Sequence, residues 1–468
     1  MLIASNNCLV SRSRKAVGMS SQGSTQDSKL NTQHSPQLRF GEFQDQWTLS
    51  NLNSATKVTD CKHRTPEYVE DGVPIVSPGS IRWGKLDTVS PKKRVTGAEY
   101  ESLMDHCSPQ INDMVFSRNQ SIGVASRITN SSPFVLGQDT VLISKKRDSL
   151  PFTYFQLQTT EVQNDINRLS GGSTFSRINL KDIRQLSLKF PTLPEQEKIA
   201  AFLTSVDDRI EQLKRKKSLL LAFKKGCMQR LFSNDECGML SDEFQHDEAS
   251  QISATKTIQH SAFKTQHSLR FRQDNGEPYP DWKEKKLGEV AEFSKGKGIS
   301  KAEIDEKGSQ SCIRYGELYT LYSETIHEVH SSTSLSADKL ALSKKNDVII
   351  PASGETHIDI ATASCVTIDG VALGGDLNII RSSGNGVFLA YYLNNAMKYK
   401  IAAIAQGSSV IHLYASQLKG LKLSIPHSDE QTKIANFLSN LDTQIEQVTQ
   451  QITQTQTFKR GLLKQMFV

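Results

Sequence analysis

The chain is 468 residues long, 37% hydrophobic, and carries a formal net charge of +6. Its length accommodates two domains, and no apolar run approaches the ~18 residues of a membrane-spanning helix, so the composition excludes such a helix. The seven cysteines form neither a CxxC pair nor a Cys/His cluster, which argues against structural zinc and a disulfide framework and fits a reducing cytoplasm.

The N-terminal segment, residues 1–37, is rich in Ser and Gln and is predicted to be a disordered tail. Residues 38–194 contain short apolar runs, such as Met114-Val115-Phe116, separated by Gly, Pro, Asn and Ser, which is the pattern of strands. One helical stretch, Pro151 to Leu169, interrupts them. We therefore predict a first globule of mixed α/β structure.

Residues 195–232 are predicted to form a long helix, because their apolar residues recur in alternating steps of four and three. Thr192 and Glu195 have the spacing of a capping box at its start. At about 1.5 Å per residue the helix is roughly 57 Å long, which suits a spacer. The alternative is an amphipathic helix in the core of a globule. The predicted seam consists of Ile199, Leu203, Val206, Ile210 and Leu213.

The next segment, residues 233–268, is acidic and polar and is predicted to be a flexible linker. A second α/β globule is predicted over 269–426, with one helical stretch from Val387 to Ala405, and a second long helix over 427–468. This helix repeats the first without a gap at an offset of 430 − 195 = 235 residues. Its predicted seam consists of Ile434, Leu438, Leu441, Ile445, Val448 and Ile452.

The repeat indicates that the chain arose by duplication. Leu38-Arg39-Phe40 with Trp47 recurs as Leu269-Arg270-Phe271 with Trp282, whereas the rest of each globule differs. We predict that the two long helices pair as an antiparallel coiled coil within one chain; homodimerisation through either stripe is the alternative.

The sequence offers no recognisable catalytic or metal site. Gly79 to Lys85 resembles a phosphate-binding loop, but Leu86 stands where a Ser or Thr must bind magnesium. No Asn-Pro-Pro-aromatic run for amino methylation is present. His63, His106, His357 and His412 are interpreted as lone surface histidines. We therefore predict a chain without catalytic residues, metal or bound cofactor.

The duplicated helix opening, Pro-x-x-x-Glu-Gln-x-Lys-Ile-Ala-x-Phe-Leu, starts at Pro191 and again at Pro426. With two unlike globules before it, this pattern resembles the specificity subunit of type I restriction-modification systems, over nearly the whole chain. The resemblance implies two target-recognition domains that each read half of a split, asymmetric DNA site. It also implies docking of two methyltransferase subunits and of restriction subunits, which bind the methyl donor and ATP.

Two other functions remain open at this stage. One is a coiled-coil structural or interaction protein without DNA specificity, and the other is a fused enzyme that methylates DNA alone. For the DNA-binding reading, Arg118 suits guanine, Asn119 or Gln120 suits adenine, and Glu355 suits cytosine. The full predicted set is Lys92, Lys93, Ser117, Arg118, Asn119, Gln120, Ser173, Thr174, Arg177, Lys295, Lys297, Ser353, Glu355, Thr356, His357, Ser408, Ser409 and His412.

Overall fold

The computed structural model describes residues 9–11, 36–171, 176–232 and 269–467. The predicted linker, most of the predicted N-terminal tail, and Ser173 and Thr174 lie outside these residues. The chain divides into two compact units. Of the described residues, the first unit contains 9–11, 36–171, 176–215 and 449–467, and the second contains 216–232 and 269–448.

The first unit holds the first globule. Its strands are β1 (Leu9–Ser11), β2 (Leu38–Phe40), β3 (Thr48–Asn51), β4 (Thr56–Asp60), β5 (Val73–Val76), β6 (Gly84–Lys85), β7 (Arg94–Val95), β8 (Met114–Ser117), β9 (Ala125–Arg127), β10 (Val135–Leu136), β11 (Thr140–Lys145) and β12 (Ser187–Phe190). Its helices are α1 (Leu52–Ala55), α2 (Gly97–Met104), α3 (Leu150–Leu157), α4 (Thr160–Leu169) and α5 (Leu180–Gln185).

A five-stranded sheet in the order β4-β11-β8-β9-β6 forms the centre of the first globule. The strand β8 is fully buried, which agrees with the apolar run predicted there. A three-stranded sheet, β10-β5-β7, and a pair, β12-β3, complete the globule. Strand β1 pairs with β2, so these three residues of the predicted disordered tail are a strand.

The second unit holds the second globule. Its strands are β13 (Lys283–Lys286), β14 (Ala291–Lys295), β15 (Gln310–Ile313), β16 (Thr325–Ile326), β17 (Ser331–Thr333), β18 (Ala341–Leu342), β19 (Asp347–Pro351), β20 (Ser353–Gly354), β21 (Ser364–Val366), β22 (Ala372–Leu373), β23 (Leu377–Ser382), β24 (Ile411–His412) and β25 (Lys422–Ile425). Its short helices are α7 (Leu287–Val290), α8 (Gly386–Asn395), α9 (Lys398–Ile404) and α10 (Ala415–Lys419).

The central sheet of the second globule is also five-stranded, in the order β14-β23-β19-β21-β16. It corresponds to the central sheet of the first globule, with β19 in the place of β8. A four-stranded sheet, β17-β15-β22-β18, and the pairs β13-β25 and β20-β24 accompany it. Each helical stretch predicted as single is two helices, α3 with α4 and α8 with α9. In the first globule Thr159 caps a new helix start, accepting the Val162 N–H.

The two long helices run from Leu193 to Phe232 and from Ser428 to Met466. The first of these is α6 and the second is α11. The predicted capping box is wrong in its chemistry, because the Glu195 carboxylate accepts hydrogen bonds from Arg39 instead, at 2.7 Å from both Nε and Nη2. Sequence reasoning missed this pair because its members lie far apart along the chain.

The repeated residues form one joint in each unit between the globule and the start of its long helix. Arg39 pairs with the fully buried Glu195, and Arg270 pairs with the fully buried Glu430 at 2.7 Å. The neighbouring glutamines also contact the globule. The side-chain carbonyl of Gln196 accepts the backbone N–H of Ser149, and the side-chain carbonyl of Gln431 accepts the backbone N–H of Asn385. Ser149 and Asn385 are the N-caps of α3 and α8.

The end of each long helix packs into the unit that contains the start of the other. Phe467 stands 6.1 Å from the Trp47 ring and 5.3 Å from that of Phe152 in the first unit. Phe232 at the end of α6 lies 5.5 Å from the Tyr392 ring in the second unit. Within each unit the two helical segments are therefore antiparallel, as predicted, and they pair within one chain.

The predicted seam residues have two kinds of contact. Ile199, Leu203, Val206 and Ile210 share one core with residues of the first globule and with Leu462, Leu463 and Met466 of α11. Ile434, Leu438 and Leu441 lie in the second core with Leu231 and Phe232. Each stripe thus packs on its own globule as well as on the other helix. Leu213 and Val448 are buried, and Ile445 and Ile452 are half-buried.

Partly buried ion pairs join the helices at equivalent positions. Lys459 contacts Asp207 at 2.7 Å in the first unit, and Lys224 contacts Asp442 at 2.6 Å in the second. Both residues of each pair are related by the repeat, since 459 − 224 = 235 and 442 − 207 = 235. A buried pair that must be matched fixes the register of two helices.

Candidate nucleic-acid interface

The first predicted base-reading segment begins where β8 ends. Ser117 is fully buried, and its hydroxyl donates to the Asn119 carbonyl at 2.6 Å. Arg118 is 4% exposed, its Nη1 lies 3.0 Å from the Asp60 carboxylate, and its Nε donates to the Ile178 carbonyl. These two side chains hold the loop in place. The location of Arg118 does not suit the predicted grip on guanine.

Asn119 and Gln120 are the accessible members of this segment. Asn119 is half-buried and Gln120 is exposed, with a φ of +56° that lifts its side chain out of the strand direction. Asn119 forms a β-bridge with Arg177, although 58 residues separate them (177 − 119 = 58). The structure therefore joins the two segments that the sequence proposed separately.

Arg177 points partly to solvent, with its side chain 42% exposed, and pairs with Asp139 at 2.7 Å. Asp139 also lies within 3.5 Å of the Asn119 amide. Sequence reasoning missed Asp139, because a single Asp before a strand carries no pattern that identifies it as part of a binding site. Its carboxylate orients the Arg177 guanidinium beside the Asn119 amide, which leaves a patch with amide and guanidinium donors at the surface.

The second globule repeats this arrangement with other side chains. Ser353 of β20 pairs with His412 of β24, and His412 also bridges to Gln406, just as Arg177 bridges to Gly171. His412 is exposed and stacks on the exposed Tyr414 ring at 6.1 Å. The same backbone bridge thus presents Asn119 with Arg177 in one unit and Ser353 with His412 in the other.

Three further predicted residues follow Ser353 directly, and all three are exposed. The Thr356 hydroxyl donates to Asp359 at 2.7 Å, and a ring nitrogen of His357 lies 3.2 Å from the Ala402 carbonyl. Glu355 lies in the same turn, directly after the end of β20 and close to the start of β24. The turn places carboxylate, hydroxyl and imidazole groups beside the Ser353–His412 bridge.

The remaining predicted residues are exposed but lie in other loops. Lys92 and Lys93 precede β7, with the Lys93 ammonium 4.7 Å above the Tyr68 ring. Lys295 is the last residue of β14, and Lys297 lies in the loop that follows it. Ser408 and Ser409 lie in the loop that leads into β24. Such exposed cations and hydroxyls suit phosphate contacts better than base reading.

His63 is not the lone histidine that the sequence suggested. Its ring lies 3.0 Å from the Asp60 carboxylate and 4.0 Å from the Cys61 sulfur. The three side chains have the spacing of metal ligands, but Asp60 is already paired with Arg118. A guanidinium on the same carboxylate opposes a second cation, so the cluster is better explained as a buttress for the Arg118 loop.

Arg82 is a further exposed cation at this edge, and its guanidinium reaches the Ser121 hydroxyl at 3.3 Å. It lies in the loop before β6, whose Gly79 closely approaches the Gln120 side chain. The loop that resembled a phosphate-binding motif therefore borders the candidate interface. In the part of the chain described here, no helix has the length and apolar character needed to cross a membrane.

Comparison with known proteins agrees with this organisation. Residues 70–221 and 279–455 match the family model described as type I restriction modification DNA specificity domain. Two specificity subunits of Methanocaldococcus jannaschii are similar. The putative type I restriction enzyme MjaX specificity subunit is 22% identical, covering 91% of this chain and 93% of that protein. The MjaVIII specificity subunit is 21% identical, covering 70% of this chain and 72% of that protein.

A solved structure shares the fold. The type I restriction-modification system S subunit from M. genitalium superposes with a TM-score of 0.55 at 18% identity, covering 93% of this chain and 99% of that one. The two separate matches to the family model correspond to the two globules and their helices, and together they span more than half of the chain. The chain therefore belongs to the family of type I restriction-modification specificity subunits.

Proposed function

We propose that this chain recognises a bipartite, asymmetric DNA sequence, with each globule reading one half, and that it assembles two methyltransferase subunits and restriction subunits around that site. The chain itself performs no catalysis in this proposal; the methyl donor and ATP are bound by the partners. The supporting observation is the shared backbone bridge, which displays unlike polar side chains from the same position in two otherwise equivalent sheets.

The side chains at each bridge differ in what they can read. Asn119 and Gln120 carry amides that can bind adenine through two hydrogen bonds, and Arg177 carries a fork that matches guanine. In the second globule Ser353, Glu355 and His412 offer a hydroxyl, a carboxylate that can accept from cytosine, and an imidazole. An asymmetric site follows directly, because unlike donors and acceptors select unlike bases.

The repeated joints support the scaffolding part of the proposal. Arg39–Glu195 and Arg270–Glu430 fix each globule to its helix through buried charges. Lys459–Asp207 and Lys224–Asp442 fix the helix register within each unit. Each globule is therefore held in a defined orientation on the helical segments of its own unit, as a scaffold for half-site recognition requires.

A binding selection from random duplex DNA tests the proposal, with the chain and its methyltransferase subunit present together. The wild type is expected to enrich two separated half-sites. Arg177→Gln is expected to relax preference at one position of one half-site only, by the ~1–3 kcal/mol of a bidentate base contact. Arg168→Gln is the matched control, since Arg168 is 76% exposed and pairs only locally with Asp165.

Two results would contradict the proposal. Enrichment of no sequence at all would favour a coiled-coil interaction protein instead. Methyl transfer by the isolated chain would favour a fused enzyme. If Arg177→Gln and Arg168→Gln give the same preference as the wild type, Arg177 does not read a base.

A further inference from the structure

A pocket of about 560 Å³ lies in the first unit, where the globule meets both long helices. This volume falls in the ~300–1,000 Å³ range of small-molecule sites. Its walls combine the aromatic rings of Trp83 and Tyr154 with the cations Arg127 and Lys459. In all, five cationic side chains and three carboxylates line the pocket. None of the candidate base-reading residues lines the pocket, although Trp83, Gly84 and Lys85 belong to the loop that borders the candidate interface.

The two inner cations of this pocket lack sufficient anionic partners. Lys459 is 14% exposed and contacts Asp207. Arg127 stacks over the Tyr154 ring at 4.9 Å, and its buried Nε has no hydrogen-bond partner among the residues that the structure describes. Burial, opposed by Asp207 but reinforced by the nearby Arg127, lowers the pKa of Lys459 from its ordinary value. Lys459 therefore contacts one carboxylate, and Arg127 takes part in no ion pair among the described residues.

The second unit supplies the missing charge from its own chain. Lys224, the counterpart of Lys459, contacts two carboxylates: Asp442 at 2.6 Å and Glu324 at 3.2 Å. Glu324 directly precedes β16, which pairs in parallel with β21. The Lys224 ammonium of the second unit thus contacts two carboxylates, whereas the Lys459 ammonium of the first unit contacts one.

Gly84 stands at the position in the first unit that Glu324 holds in the second. Gly84 directly precedes Lys85, which pairs in parallel with Arg127 of β9. Glu324 directly precedes Thr325, which pairs in parallel with the corresponding strand β21. A Cβ placed on Gly84 would meet no described atom within 4 Å. The first unit therefore has an open space, lined by cations, where the second unit has an internal carboxylate.

We propose that this pocket binds a small ligand that carries a phosphate and a planar ring, of the nucleoside phosphate class. The phosphate occupies the place that the Glu324 carboxylate holds in the second unit, between Arg127 and Lys459. The guanidinium fork matches phosphate oxygens, and its unpaired Nε supplies a donor. The ring packs against the half-buried Trp83 side chain. This site goes beyond DNA recognition and does not depend on it.

Isothermal titration calorimetry on the full chain tests the site with AMP, adenosine and inorganic phosphate as probes. AMP is expected to bind at one site with a Kd below about 1 mM, and adenosine and phosphate are each expected to bind more weakly. Arg127→Gln should weaken AMP binding by about tenfold or more. Arg177→Gln is the matched control, because it removes a guanidinium from the candidate DNA surface and should leave AMP binding unchanged.

A second measurement does not depend on any variant folding. AMP should raise the melting temperature of the wild-type chain, with a shift that grows with AMP concentration. Absence of both binding heat and a melting shift at about 10 mM AMP would overturn the proposal. Equal binding of AMP and adenosine would overturn the phosphate position, and loss of binding in Arg177→Gln but not in Arg127→Gln would place the nucleotide on the DNA surface instead.

Discussion

The two units of this chain share their supports and differ in what they display. In both, an arginine reaches a buried glutamate at the start of a long helix, a glutamine holds the N-cap of a globule helix, and a phenylalanine from the other long helix closes the aromatic core. In contrast, the bridged surface residues differ in charge and in hydrogen-bonding groups. Duplication preserved the residues that set the geometry, whereas the residues at the bridged surface differ between the two units.

The arginine joint gives the strongest test of this comparison. Arg39→Ala leaves the fully buried Glu195 carboxylate without its partner, and we expect it to lower the free energy of unfolding of the first unit by about 3–5 kcal/mol. Arg270→Ala should cost less in the second unit, because the Trp282 indole still donates to Glu430 at 3.2 Å. Differential scanning calorimetry of both variants measures the two effects.

The control for that comparison lies in the other tryptophan. The indole nitrogen of Trp47 is buried and has no hydrogen-bond partner among the described residues, so Trp47→Phe should not alter the Glu195 joint. Equal losses in Arg39→Ala and Arg270→Ala would show that the indole hydrogen bond contributes nothing.

The buried lysines between the helices sharpen the comparison further. Lys224→Met leaves two carboxylates, Glu324 and Asp442, facing each other without a cation. We expect a loss of about 1.5–3 kcal/mol in the second unit, the range for losing hydrogen bonds between charged groups. Lys459→Met should cost less in the first unit, because it removes the cation from only one carboxylate, that of Asp207. Urea unfolding of the two variants measures the order, and the reverse order would contradict this account.

The pH dependence of stability offers a smaller effect. Burial raises the pKa of Tyr154 to about 12 from its ordinary 10.0. Between these values the unfolded chain loses the phenolic proton while the folded chain keeps it, so stability falls as pH rises from 10 towards 12. At pH 11 we expect a loss of about 1.4 kcal/mol in the first unit from this group.

Tyr154→Phe removes that titration. It should reduce the loss in free energy of unfolding of the first unit between pH 10 and pH 12, whatever the stability of the variant at neutral pH. Unfolding by urea at pH 9 and at about pH 11 gives the difference. Burial also raises the pKa of Tyr391 in the second unit, so the second unit should keep its alkaline fall in the Tyr154→Phe chain. A wild-type slope that survives the substitution would contradict the assignment to Tyr154.

The smallest expected change concerns the exposed lysines. Lys92→Gln with Lys93→Gln should leave stability within about 0.5 kcal/mol and weaken binding to all DNA sequences alike. For each DNA phosphate that the variant no longer neutralises, the slope of log K against log salt should fall by about 0.9. Lys295→Gln with Lys297→Gln is the matching pair in the second unit. Fluorescence anisotropy at several salt concentrations measures the slopes, and a changed base preference would contradict a phosphate role.

The sequence predicted what depends on local pattern. Apolar steps of three and four identified both long helices within two residues of their observed starts, because a helix buries one stripe wherever it packs. Short apolar runs separated by turn residues indicated the mixed α/β globules, and the duplicated stripe indicated the antiparallel helix segments. The break between α3 and α4 was missed, since Thr159 as a new N-cap lies within an otherwise continuous helical pattern.

The sequence could not identify pairs that only the fold brings together. Arg118 was predicted to read a base because it follows a strand among polar residues, yet it is buried against Asp60. The bridge between Asn119 and Arg177 depends on two segments that converge beside the central sheet. The sequence does contain one signal for such pairs. Asp207 and Lys224 recur as Asp442 and Lys459 at the 235-residue offset, and charges that repeat along an apolar helix indicate ion pairs between helices.

The exchange of helix ends has a consequence for how this chain is made. The second unit draws its described residues from 216–232 and 269–448, so all of them leave the ribosome before residue 449. The first unit needs Phe467 beside Trp47, a contact that spans 467 − 47 = 420 positions. During synthesis the first globule therefore lacks the Phe467 side chain that packs on Trp47 until the second globule has been made. We expect nascent chains to be most susceptible to aggregation and proteolysis during that interval.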